Sequence, residues 1–195
     1  MVVRGQLSRE LIVAAAHDIV ANEGLDALSL RRVAKELGVT APALYGHVHY
    51  KADLLRALAE LEMARLLRAF ERIDATDPLE RVRLQARAYI EQALADPALF
   101  EVMFLTRPDW ANQPTVEELP AATQAFAAGA AAIEAAIAAG QLRDEDPFMI
   151  SLALWSASHG VASVVLAGIN LGDAFTSRLI DVVIDNLLAG FAADH

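Results

Sequence analysis

The chain has 195 residues, 55% of them hydrophobic, with a mean hydropathy of +0.34, so it can bury a substantial core and a disordered chain is excluded. It contains no cysteine, which rules out disulfides, thiolate metal sites and a cysteine nucleophile and suits a reducing, cytoplasmic setting. The formal net charge of −10 speaks against a nucleic-acid partner for the chain as a whole, but residues 1–51 carry six Lys/Arg against five Asp/Glu while residues 52–195 carry ten against twenty-one. An acidic body with a neutral-to-basic head fits a protein that touches polyanions with one end only.

Helical spacing runs through the sequence, and the short alternating runs that mark strands are missing. Residues 1–7 lack the apolar core of a secretory signal. Ser8 opens a first helix through Leu11, Ile12, Ala15, Ala16, Ile19 and Val20, which ends at Asn22-Glu23-Gly24. Ser29 caps a short second helix carrying Leu30, Val33, Ala34 and Leu37; Gly38 stops it, and Thr40 caps a third with Pro42 in its first turn. A long amphipathic helix follows from about Lys51 to Arg72. Later helices start with one device used three times, Asp77-Pro78, Asp96-Pro97 and Asp146-Pro147: an N-cap aspartate, then a proline whose missing N–H costs nothing there. Residues 106–115 form a long loop, and Thr115 to Glu118 resembles a capping box whose helix Pro120 delays by a turn. The alanine-rich stretch 121–139 keeps a stripe of Phe126, Ile133 and Ile137, and a last helix runs from about Phe175 to Phe191. The expectation is an all-α chain of about nine helices: a three-helix head over residues 1–50 and a helical bundle over 51–195.

One segment needs a membrane test. Pro147 to Gly172 holds no formal charge and is long enough to span a bilayer. Ser151, Ser156, Ser158, His159, Ser163 and Asn170 interrupt it, so it reads as a buried helix of a bundle, with no membrane partner.

In the head, SLRRVAKELGVTAPALYGHV meets the steric rules of a helix-turn-helix: Ala34 is small enough for two helices to approach, Gly38 takes the turn, and Val33, Leu37, Val39 and Leu44 fill the wedge. A generic helical hairpin meets the same rules. The longer run from Gly24 to Leu55, with Ala34, Gly38-Val39, Leu44-Tyr45, His47-Val48, Lys51 and Leu54-Leu55 in register, resembles the DNA-binding domain of the tetracycline-repressor (TetR) family of bacterial transcription regulators. The resemblance implies that Tyr45, His47 and Lys51 contact phosphates, that Thr40 caps the recognition helix and reaches phosphate, and that Arg31 reads a base edge. Ala41, Pro42 and Ala43 would face the groove floor, where apolar atoms meet thymine methyls. Arg4 would lie on an arm at the minor groove, and Arg32 and Lys35 would be solvated or steer the backbone. Tyr45 also reads as a core aromatic with its hydroxyl at the rim. His47, His49 and Asp53 would need further ligands to hold a metal; neither metal nor cofactor is expected. Gly46 stands where the family often has a bulky aromatic, which weakens the helix by about 1 kcal/mol relative to alanine, and His49-Tyr50 replaces a more usual polar pair.

A single head makes too few contacts for tight binding, so a homodimer is expected. Ala153, Ser156, Gly160, Ser163 and Ala167 form a seam of small residues, with Leu152, Trp155, His159, Ala162 and Leu166 supplying bulk beside it. The family's subunits join through their last two helices, which adds Val183 and Leu187; packing within one chain is the alternative. Trp155, His159 and Gly160 also resemble the Trp-x-x-x-His-Gly (WHG) motif of one subgroup, with His159 readable as core, interface or pocket. The resemblance implies a small-molecule effector, for which Tyr89, Phe100, Met103, Phe104, Trp110, Phe126, Trp155 and His159 are candidates alongside ordinary packing. With no buried Lys or Arg to place there, the effector is expected to be apolar or weakly polar. The implied function is a repressor released from a palindromic double-stranded DNA operator. A helical protein-interaction adaptor without DNA binding is the alternative. An enzyme is disfavoured, since no catalytic triad, phosphate-binding glycine loop or HExxH occurs.

Overall fold

The computed structural model describes residues 7–104, 120–169 and 172–193. Nine α-helices occur among the described residues: α1 (Arg9–Glu23), α2 (Leu30–Leu37), α3 (Ala41–Leu44), α4 (Lys51–Glu71), α5 (Pro78–Ala95), α6 (Pro97–Phe104), α7 (Pro120–Ala138), α8 (Pro147–Leu166) and α9 (Asp173–Gly190). A single 3-10 turn, Leu25–Ala27, follows α1 and was not evident in the sequence. By packing, the chain forms two units, residues 1–63 with 96–120 and residues 64–95 with 121–195. The long helix α4 therefore begins in one unit and ends in the other, and α6 belongs with the head.

In the first unit the helix ends follow from their caps. The Ser8 and Ser29 hydroxyls accept the N–H groups of Leu11 and Arg32 at 3.3 and 3.1 Å. Gly38 closes α2 in the left-handed conformation, φ 66°, and the Val39 N–H returns to the Ala34 carbonyl at 2.9 Å, the pairing of a Schellman end that favours glycine over any side chain. Ile12, Ala16, Ile19, Leu28, Val33, Ala34, Leu44, Val48, Leu54 and Leu58 form one core, joined by Leu99 and Val102 of α6. Asp96 both caps α6, accepting from the Leu99 N–H at 3.3 Å, and meets His17 Nε2 of α1 at 2.7 Å.

In the second unit α5, α8 and α9 pack on one another through Val82, Ile90 and Ala93, Ile150, Leu154 and Val161, and Ile180, Ile184 and Leu188. Arg83 and Arg87 of α5 pair with Asp185 and Asp181 of α9 along the edge. The remaining Asp-Pro caps form as expected: Asp77 accepts from the Glu80 N–H at 2.7 Å and Asp146 from the Phe148 N–H at 2.9 Å. On α7 the expected stripe is only partly right. Ile133 is buried, but Phe126 is 57% exposed, and the buried face is completed by Ala121, Ala125, Ala132 and Ala136. Helix phase decides this, because Phe126 lies next to Ala125 and so points about 100° away from it. One short antiparallel bridge, Leu142 with Ala192, fastens the chain after α9 to the turn before α8. Both α7 and α8 are long and apolar enough to cross a membrane by length and composition. In α8, Ile150, Leu154, Ser158, Val161 and Ala162 are buried, which accounts for one face of that apolarity.

Candidate nucleic-acid interface

The third helix has only four residues, too few to persist alone. It is held from beneath. Leu44 and Val48 are fully buried, and the Leu44 carbonyl accepts the N–H groups of both His47 (2.8 Å) and Val48 (2.9 Å). With those two anchors inward, the positions around them turn out: Pro42, Ala43, Tyr45 and Gly46 are exposed, and Ala41 and His47 half-buried. Tyr45 is 49% exposed, which places it on the rim rather than in the core. Gly46 has room for a side chain, since an added Cβ would meet nothing within 4 Å; its absence lowers a wall rather than relieving a clash.

Thr40 occupies the N-cap position by backbone geometry, but its side chain makes no capping bond. The expected hydroxyl cap is thus replaced by the Thr40 carbonyl, which accepts from the Ala43 N–H at 2.9 Å. The neighbouring arginines have opposite surroundings. Arg32 is clamped by Glu23 and Glu36, and the hydrogen bonds it donates to Glu23 and then to Glu36 raise its pKa above the ordinary arginine value. Arg31 is exposed and has no such carboxylate among the described residues. Lys51 is exposed while its Nζ donates to the Leu25 carbonyl in the 3-10 turn at 3.2 Å. Asp53, the third residue of α4, reaches back to the turn before the helix: one oxygen accepts the N–H groups of His49 (2.8 Å) and Tyr50 (3.1 Å). Partial burial raises its pKa, but those two bonds and Arg56 outweigh it and hold the carboxyl below its ordinary value. This is how His49-Tyr50 serves in place of a polar turn pair. No group of three metal-binding side chains occurs among the described residues. Arg4 lies outside the described residues.

Of the pocket candidates, the second unit brings three together. Tyr89 Oη lies 3.2 Å from His159 Nδ1, and the Trp155 ring stacks on His159 with centroids 5.4 Å apart. Burial lowers the His159 pKa from its ordinary value of 6.5. Phe100 is buried in the first unit, on α6, and Phe126 stands on the surface. Trp110 and the side chains of Met103 and Phe104 lie outside the described residues. Of the seam, Ser156, Gly160 and Ala167 are exposed, and Ala153, Ser163, Val183 and Leu187 half-buried. The expected bulk row is corrected: Ala162 is fully buried within its own chain and His159 turns to α5, whereas Phe148, Leu152 and Val164 stand exposed on α8, with Phe175 and Val182 exposed on α9. The expected row starts at exposed Leu152, but its steps of three and four carry it to Ala162, which helix phase turns into the core.

Sequence reasoning missed the reach of Arg9, whose Nη1 donates to the His47 carbonyl at 2.9 Å, and the His17–Asp96 contact. Neither has a local signal, for each joins residues far apart in the chain.

Comparison with known proteins agrees with this geometry. A model of the tetR family of bacterial regulatory proteins matches residues 12–58, and a model of the tetracyclin repressor-like, C-terminal domain matches residues 82–188. An uncharacterized HTH-type transcriptional regulator of Mycobacterium tuberculosis is 28% identical over 186 residues, spanning 95% of this chain and 82% of its own. The class D tetracycline repressor of Escherichia coli is 42% identical over 60 residues, 31% of this chain and 28% of the repressor. A solved structure of a Rhodococcus protein of unknown function superimposes with a TM-score of 0.80 at 27% identity, covering 94% of this chain and 95% of that one. The chain belongs to the tetracycline-repressor family and is a non-enzymatic, DNA-binding transcriptional regulator with a helix-turn-helix head and a repressor-like C-terminal domain.

Proposed function

We propose that the protein acts in the cytoplasm as a homodimeric repressor on a palindromic operator, with residues 1–50 binding DNA and residues 51–195 binding an effector and dimerising. The observation that carries the DNA reading is the outward edge of α2 and α3: Arg31 without a carboxylate partner among the described residues, Thr40 without a side-chain cap, and Pro42, Ala43, Tyr45 and Lys51 exposed above buried Leu44 and Val48. Tyr45, His47, Lys51 and Thr40 grip phosphates, Arg31 reads a base, and Ala41, Pro42 and Ala43 approach the groove floor. Base preference then rests on methyl contacts, Arg31 and DNA shape rather than on polar readout from α3. The exposed apolar face of α8 and α9 supports dimerisation, with Ser156, Gly160, Ser163 and Ala167 allowing close approach and Val183 and Leu187 packing beside them.

The Tyr89–His159–Trp155 cluster and the alanine face of α7 support an apolar or weakly polar effector and a place in the Trp-x-x-x-His-Gly subgroup. An effector preferring a splayed dimer weakens DNA binding about 5–150-fold for a coupling of about 1–3 kcal/mol. Stabilisation in a thermal-shift screen by strongly anionic ligands alone would count against this effector class.

Two alanine variants test the DNA reading. Lys51→Ala weakens every sequence similarly and lowers the salt slope of binding by about one unit. Arg31→Ala instead relaxes preference at one symmetric pair of positions in binding-site selection; unchanged preference removes Arg31 from the base-reading set.

A further inference from the structure

Arg9 is the first residue of α1, exposed, and its Nη1 donates to the His47 carbonyl at 2.9 Å, across 38 residues of sequence. That carbonyl lies just past α3, where the turn has run out of backbone donors. The contact uses one of the five N–H groups of a guanidinium, and a carbonyl does not neutralise its charge. Among the described residues no carboxylate lies within ion-pair distance of Arg9. Glu10, the nearest acid in sequence, is held below its ordinary value by the Ser8 hydroxyl and its own backbone N–H, and then by His47 and Arg9.

Lys51 shows the same arrangement at the other end of the recognition turn: an exposed cation leaning on a carbonyl of the head, that of Leu25 at 3.2 Å. Arg32 shows the opposite one, a cation spent on two glutamates. A planar, permanently charged fork beside His47 suits a phosphate oxygen better than it suits a structural tie alone.

We propose that Arg9 is a further DNA-contacting residue, which braces the His47 end of the recognition turn and presents its remaining N–H groups to a backbone phosphate beside those reached by His47 and Tyr45. The proposal rests on the reading of that edge as DNA-facing. Because phosphate contacts are independent of sequence, the probe is a fluorescein-labelled random-sequence duplex of about three helical turns, titrated with the full chain by anisotropy over a range of salt. Arg9→Gln weakens binding about tenfold at low salt and lowers the salt slope by about one unit per bound head, while Arg9→Lys keeps the slope. Lys51→Ala is the benchmark, and thermal melts show that each variant is folded. A slope left unchanged by Arg9→Gln while Lys51→Ala lowers it overturns the proposal and leaves the DNA-facing reading intact. Slopes unchanged in both variants overturn the two together. Should Arg9→Gln unfold, Arg9→Ala, which also removes the charge, is read in its place: a lowered slope supports the proposal and an unchanged slope overturns it.

Discussion

His159 shows how one side chain takes its chemistry from its neighbours. It sits within hydrogen-bond distance of Tyr89, under the Trp155 ring, and burial lowers its pKa below 6.5. The unfolded chain then binds more protons than the folded one at and below that value, so the stability tied to a neutral His159 is complete above pH 6.5 and is lost as the pH falls through the window beneath it. His159→Gln removes this titration. Its melting temperature, plotted against pH beside the parent's, should run parallel above neutrality and fall less steeply in acid. Superimposable slopes would show that His159 is not held neutral by burial. Arg31 and Arg32 make the same point for charge: adjacent in sequence, they differ because only one lies within reach of Glu23 and Glu36.

At the scale of the element, the three Asp-Pro starts share a sequence device but not an energy. Asp146 accepts one backbone N–H in an exposed position, a cap of about 1 kcal/mol. Asp96 also accepts the Leu99 N–H, but its second oxygen meets His17 at 2.7 Å with both side chains about four-fifths buried, 20% and 18% exposed. Asp96→Ala should therefore cost about 2–3 kcal/mol in denaturant unfolding against about 1 kcal/mol for Asp146→Ala. Asp96→Asn, which can keep the cap, should fall between them. Equal losses for the two alanine variants would mean that the His17 contact adds nothing. The same scale explains α3, whose four residues owe their shape to Leu44 and Val48 below them rather than to helix propensity.

For the whole molecule, several of the exposed large apolar residues lie on α8 and α9. Phe148 and Leu152 of α8 are exposed one turn apart, Val164 is exposed further along the same helix, and Phe175 and Val182 are exposed on α9. In the proposed dimer these exposed apolar side chains meet the partner's helix pair. Leu152→Glu puts a charge among them, and light scattering should then report one chain instead of two, with operator affinity falling because a single head cannot hold half-sites roughly 34–36 Å apart. A dimer mass that survives both Leu152→Glu and Ser156→Arg would remove this face from the proposed interface.

Helix order, the serine and aspartate caps, the Gly38 stop and the inward Val33 and Leu44 were legible in the sequence because each depends on residues within a few positions of one another. The helix-turn-helix was legible for the same reason, its wedge residues all falling between Val33 and Leu44. What the sequence left open was decided by contacts that no local pattern encodes. The alanine stripe of α7 turned Phe126 outward, the bulk row of α8 divided between core and surface, and Thr40 capped with its backbone alone. Arg9 found His47 across 38 residues, His17 found Asp96 across 79, and His159 found Tyr89 across 70. Periodicity tells which side of a helix is apolar, but only the packing of one helix on another determines which polar atom lies opposite, and therefore which charges are spent inside the protein and which remain to meet DNA.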